Sequence, residues 1–237
     1  MDEQPESALT VHRAAERYES APEPGVATRH AFSFSGHYDP ANTHFGALLA
    51  CNEEVLGPGA GFAPHRHRDT EILTWVLEGT LRHEDDRGHS ALVRPGQLQH
   101  LSAGGGVTHS ESNPAAEGRV RFIQFWLQPD VFGAEPEYGT AETPPLTPGR
   151  RRDATLHLLR ADPGRPLALP AAPYRYLHLL RGGLGFRSRS GPRGVGQELA
   201  PGDSVRIAGA AEPVDLTAGP QGAELLLLAM GSVLRYG

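Results

Sequence analysis

Gly59-Ala60-Gly61-Phe62-Ala63-Pro64-His65-Arg66-His67 opens the stretch that decides the fold, and Gly104-Gly105-Gly106-Val107-Thr108-His109-Ser110-Glu111-Ser112-Asn113 closes it. Between them lies a run of strand and turn signals. Residues two apart on a β-strand point to the same face, so His65 and His67 share one direction, as do His109 and Glu111. Strands that bring the two ends together would gather three imidazoles and one carboxylate in a single interior. That set suits a divalent first-row metal: iron, manganese, nickel, copper, cobalt or zinc. It suits neither calcium, which takes oxygen ligands, nor the cysteine-built structural zinc sites. Four protein ligands on an octahedral ion leave two positions for water, dioxygen or a chelating substrate. A tetrahedral zinc holding all four would instead be closed and structural, and histidines at exposed strand ends would hold nothing. Both alternatives stay open at this level.

Outward from that stretch the strand signals continue. Residues 71–78 (Glu-Ile-Leu-Thr-Trp-Val-Leu-Glu) read as a buried strand ending at Gly79. Residues 80–84 and 90–94 pair across Asp85-Asp86-Arg87-Gly88 as a hairpin. Pro95-Gly96 turns the chain into a strand at 98–102, and 119–127 alternates polar and apolar. Upstream, 29–34 alternates, Tyr38-Asp39-Pro40 turns, and 45–52 is an apolar strand around Cys51. Residues 1–25, rich in Glu, Pro, Ala and Ser, predict a mobile or loosely docked tail. Residues 131–152, with Pro136, Pro144, Pro145 and Pro148, predict a linker or extended crossing segment.

Beyond that segment the pattern repeats. Trp75-Val76-Leu77-Glu78-Gly79 returns as Leu177-His178-Leu179-Leu180-Arg181-Gly182. Val93-Arg94-Pro95-Gly96-Gln97-Leu98 returns as Leu199-Ala200-Pro201-Gly202-Asp203-Ser204-Val205. The offset is on the order of a hundred residues, a domain length. Two β-domains of one kind follow, 26–130 and 153–237. The second lacks the chemistry: Leu169-Pro170-Ala171-Ala172-Pro173 stands in place of His-x-His, and Gly209-Ala210-Ala211-Glu212-Pro213 in place of His-x-Glu. His157 and His178 remain as isolated strand histidines.

Composition bounds the rest. The 237 residues carry a formal net charge of -6, which offers no basic footprint for nucleic acid or an anionic membrane. Gly 29 and Pro 21 favour short strands and tight turns. One cysteine excludes an internal disulfide. The acidic start has no signal-peptide core, and the apolar run 225–230 is too short to span a bilayer. A cytoplasmic location is the expectation.

Gly59-x5-His65-x-His67-x3-Glu71 with Gly106-x2-His109-x3-Asn113 resembles the two cupin motifs. More narrowly, the chain resembles the pirin family of bicupins. Matching words are Phe32-Ser33-Phe34, Tyr38-Asp39-Pro40, Phe45-Gly46-Ala47-Leu48, Glu71-Ile72-Leu73-Thr74, Val76-Leu77-Glu78-Gly79, Arg94-Pro95-Gly96 and His109-Ser110-Glu111-Ser112-Asn113-Pro114. The match is dense from Thr28 to Pro129 and faint beyond residue 150.

The resemblance implies an all-β chain of two tandem double-stranded β-helix (jelly-roll) domains. It implies one divalent metal in the first domain, iron expected first, held by His65, His67, His109 and Glu111. Glu71, a ligand in many other cupins, is expected behind the ligands, orienting a histidine ring. His83 matches a family histidine and is a cavity candidate. Arg66 stands where the family usually has Pro and is expected to face solvent; His100 departs from the family and is expected to be exposed. The implied activity is quercetinase-like: ring opening of a flavonol or related aromatic enol by dioxygen, with Glu111 as base. The alternative is a non-catalytic, metal- or redox-responsive regulator acting through a protein partner. A cupin isomerase or epimerase of sugars fits the three-histidine set less well.

Overall fold

The computed structural model describes residues 8–188, 196–209 and 214–235, and apart from one 3-10 turn at Ala14–Glu16 their regular structure is all β-strand. In chain order the strands are β1 (Ala8–His12), β2 (Tyr18–Ser20), β3 (Val26–His30), β4 (Leu48–Leu56), β5 (Gly61–His67) and β6 (Glu71–Glu78). There follow β7 (Leu81–Asp85), β8 (Ser90–Val93), β9 (Leu98–Ser102), β10 (Val107–Ser112), β11 (Val120–Leu127) and β12 (Glu137–Ala141). The last six are β13 (Ala154–Ala161), β14 (Pro166–Leu167), β15 (Tyr174–Ser188), β16 (Gln197–Leu199), β17 (Ser204–Ala208) and β18 (Val214–Met230). Among the described residues no helix is long and apolar enough to cross a membrane.

The chain divides into two compact units. Tyr18–Arg152 form one; the described residues up to Arg17, with those from Asp153, form the other. In the first, a four-stranded sheet β5-β10-β7-β8 faces a seven-stranded sheet β12-β9-β6-β11-β4-β3-β2. Val26, Leu56, Val76, Val120 and Phe122 from the larger sheet pack with Leu81 and Val93 from the smaller in one apolar cluster. That cluster closes one end of the sandwich, and Ile72, Leu101, Ala103 and Val107 pack as a second. Between these clusters the larger sheet carries buried polar side chains, among them Gln99, Thr74, Gln124 and Asn52.

The second unit is a seven-stranded sheet, β1-β17-β15-β18-β13 with β16 on β15 and β14 on β18. Register shifts at 179/181 and 182/184 of β15 bend the long strands. Their inward side chains, among them Leu177, Leu179, Leu184, Ile207, Leu225 and Leu227, meet in a single apolar core.

Two expectations change. Residues 8–25 are not a loose tail: Ala8–His12 adds a strand to β17, and Tyr18–Ser20 pairs with β3. The backbone donors and acceptors of β1 are satisfied by a strand far along the chain, which composition cannot reveal; residues 1–7 lie outside the described residues. Nor is 131–152 only a linker. Glu137–Ala141 pairs with β9 inside the first unit, and Arg151 is fully buried there.

Candidate metal centre

The site is built on three adjacent strands of the smaller sheet. In β5 and β10 His65 lies directly opposite His109. On its other side β10 sets His109 against Asp85 and Glu111 against His83. The period of two puts His65, His67, His109, Glu111, His83 and Asp85 on one face. Between the His109–His65 and Glu111–Phe62 pairs the register shifts, leaving an extra residue in β5 around Ala63-Pro64. Proline is tolerated at such a bulge, which re-aims the residues after it. A Cβ on Gly61 would stand 2.3 Å from the Glu111 carbonyl oxygen, so only glycine lets β5 approach β10 this closely.

The three imidazoles converge. Ring centroids are 4.5 Å apart for His65 and His109, 4.7 Å for His65 and His67, and 4.9 Å for His67 and His109. One ligand nitrogen from each lies within 4.8 Å of the other two. A second group, His83, His109 and Glu111, meets the same limit, so His109 belongs to both.

Hydrogen bonds assign the tautomers. Asp85 Oδ2 accepts from His83 Nε2 at 3.3 Å, leaving His83 Nδ1 to accept from His109 Nδ1 at 3.4 Å. His109 Nε2 is then a bare lone pair, buried and without a hydrogen-bond partner among the described residues. His65 Nδ1 donates to the Ala63 carbonyl at 2.8 Å, which likewise leaves Nε2 as its acceptor. A buried, unpartnered acceptor beside two further imidazoles is costly unless something occupies it. A divalent cation fits that donor set.

Electrostatics agree. Burial, and then the neighbouring His109 and His65 rings, bring His67 down to about 3. Burial, then His65 and His83, does the same to His109, also to about 3. Both rings are therefore neutral at pH 7, the form that binds metal. Burial pushes the Asp85 carboxyl upward, but hydrogen bonds from His89, His83 and the Arg87 amide hold it below its ordinary value.

Glu111 is held from the opposite sheet. Gln99 Nε2 donates to Oε1 and Gln124 Nε2 to Oε2, both at 2.9 Å. Gln124 is fixed in turn by Trp126 Nε1, which donates to its Oε1 at 2.7 Å. The Trp126 ring packs edge-on against His67 at 4.7 Å. Tyr138, from the proline-rich segment, stacks on His83 at 4.3 Å and donates to Gln99 at 3.2 Å.

Glu71, expected behind the ligands, is buried but turned elsewhere. His100 Nε2 lies 2.7 Å from one of its oxygens and Ser102 Oγ donates to the other at 2.6 Å. The ring it orients is thus His100, outside the triad, and His100 is mostly buried rather than exposed. Arg66 is exposed as expected, yet its Nη2 donates to Gly105 O at 3.0 Å. A Cβ on Gly106 (φ +137°) would lie 1.9 Å from that nitrogen, so the loop glycine makes room for the guanidinium.

A cavity of about 310 Å³ opens beside the imidazoles, lined by His65, His67 and Glu111 and walled by Phe34, Phe62, Pro64 and Trp126. Sequence reasoning missed Gln99, Gln124, Asp85 and Tyr138. Two left a signal: Gln124 is a lone polar residue at a buried phase of its strand, and Asp85 follows His83 by two and so shares its face.

The comparisons with known proteins agree with this geometry. The Pirin family model matches residues 11–127. A Mycobacterium tuberculosis protein provisionally named quercetin 2,3-dioxygenase is 39% identical over 220 residues, spanning 85% of this chain and 87% of its own length. The Escherichia coli quercetin 2,3-dioxygenase is 45% identical over 109 residues, 46% of this chain and 47% of its own. The crystal structure of the bacterial pirin YhhW from Escherichia coli in complex with nickel(II) superposes with a TM-score of 0.82 at 28% identity, over 95% of this chain and 100% of that one. On the bicupin architecture, the extent of these matches and the His/Glu cluster suited to a divalent metal, this chain belongs to the pirin family.

Proposed function

We propose that this chain is a metal-dependent dioxygenase that opens a ring of a flavonol or related aromatic enol with O2. The observation that carries the reading is the cavity: its wall holds His65, His67 and Glu111 together, so a substrate inside it reaches the metal-ligating face. His65, His67, His109 and Glu111 would hold the ion, iron before nickel, copper, manganese, cobalt or zinc. When bound, that ion supplies Lewis acidity toward the enol oxygen and a means of engaging O2.

The chain's own residues do the rest. Phe34, Phe62, Pro64 and Trp126 offer apolar surface to a flat ring and keep water from it. Glu111 accepts the enol proton. Its two amide hydrogen bonds leave further carboxylate lone pairs free, since an ionised carboxylate has about four acceptor positions. Gln99 and Gln124 keep it aimed as that proton arrives. Asp85 and His83 hold the His109 ring in one tautomer throughout.

A regulator acting through a protein partner would need no route to its metal, and the open cavity favours the enzyme. The names of the relatives point the same way. Oxygen uptake with quercetin, comparing iron-loaded with metal-free protein, tests the proposal. Uptake confined to the loaded protein is expected; none with quercetin or any other enol would move the assignment to the regulator.

A further inference from the structure

The larger sheet carries a row of directly paired residues: Gln99, Thr74, Gln124, Asn52 and His30, one from each of β9, β6, β11, β4 and β3. All five are polar. The Gln99–Gln124 half of the row serves Glu111, as described above. The other half does not. His30 Nδ1 meets Asn52 Oδ1 at 3.1 Å and His30 Nε2 meets Ser20 Oγ at 2.7 Å. One step along the same strands Thr28 faces Glu54, and its hydroxyl donates to Glu54 Oε2 at 2.5 Å. Thr28, His30, Asn52 and Glu54 are each at most 4% exposed, and all four line the cavity that holds His65, His67 and Glu111.

A second buried carboxyl is expensive. Desolvation disfavours its charge, and apolar residues would pack there at no such cost. Burial pushes the Glu54 carboxyl up to about 8, with Glu111 adding to the rise against hydrogen bonds from Thr28 and Asn52. At neutral pH it therefore presents an O–H donor as well as an acceptor. The catalytic reading uses none of these groups.

We propose that Thr28, Asn52 and Glu54 form a recognition pole of the cavity, which binds a second hydroxyl group of a planar aromatic substrate away from its reacting enol. The proposal deepens the dioxygenase reading and rests on it for the position of the enol end. It narrows the substrate class from any aromatic enol to one bearing further ring hydroxyls. Glu54 acts in selection; it takes no part in the chemistry.

The test compares quercetin with 3-hydroxyflavone, which has the enol but no further ring hydroxyls. Both are titrated calorimetrically into nickel-loaded protein, as wild type, Glu54→Leu and the near-isosteric Thr28→Val. Wild type is expected to bind quercetin about tenfold tighter than 3-hydroxyflavone, the size of one good buried hydrogen bond. In both variants that ratio should fall toward one while the nickel content stays at the wild-type level. Thr28→Val keeps the test open if Glu54→Leu folds poorly. A ratio unchanged in the variants, no preference in wild type, or binding of neither flavonol overturns the recognition pole. Oxygen uptake on iron-loaded samples separates the two claims. A wild-type preference lost in the variants without any uptake supports the pole and overturns the dioxygenase; uptake with an unchanged ratio does the reverse.

Discussion

The two units put opposite materials inside similar strand patterns. In the first, the row Gln99, Thr74, Gln124, Asn52, His30 crosses five strands and faces three histidines and a glutamate. In the second, the inward side chains of β15, β17 and β18 are Leu177, Leu179, Val205, Ile207, Leu225 and Leu227. The leucine interior shows that the fold itself needs no histidine. Each buried polar group in the first unit must be hydrogen-bonded to be tolerated, and one that is not, His109 Nε2, belongs to a ring packed beside His65 and His67. The first interior gives up stability to hold a cluster of metal-ligating side chains, whereas the second is filled with packed leucines.

That contrast can be broken most sharply from the apolar side. Leu227 is fully buried in the second core, and Leu227→Ala should destabilise the protein by about 2–5 kcal/mol, the range for leucine deletions that leave a cavity. Denaturant unfolding measures the loss, and metal content should be untouched. A loss of metal instead would mean that the apolar unit helps to build the site.

A smaller effect, with a pH signature, tests the polar side. Glu54 rises from its ordinary 4.5 to about 8 in the folded chain. Between those values the folded protein keeps a proton that the unfolded chain has released, so Glu54 subtracts stability as pH rises through the window. Glu54→Gln removes that penalty. The variant should melt above wild type at pH 8, by roughly 2–4 °C for each kcal/mol recovered, and the gap should close toward pH 4.5. A gap independent of pH would show that Glu54 is not held protonated.

How far the sequence could be read follows from the range of each interaction. His-x-His and His-x-Glu were legible because two ligands on one strand need only the period of two. The repeat was legible because turns such as Pro95-Gly96 and Pro201-Gly202 are local chemistry. The partners of Glu111 were not. Gln99 and Gln124 reach it from a different sheet, and only the register of distant strands places them. The bulge at Ala63-Pro64, which sets the aim of His65, is likewise a property of a pair of strands. Glu71 was expected to orient a histidine ring; which ring was not legible, because His100 and Ser102 come from β9 and only the register of β6 and β9 brings them to it. Tyr138 lay hidden in a segment whose prolines spoke for a linker, and residues 8–12 in one whose composition spoke for a tail.

In the proposed centre one ion is held jointly by the histidines of β5 and the His-x-Glu pair of β10. Metal analysis after loading and dialysis tests it most directly, on wild type, His65→Ala and Glu111→Ala, each checked for folding by its melting curve. About one metal per chain is expected in wild type, the count this ligand set supports, with a clear loss in both variants. Equal metal in all three would contradict it.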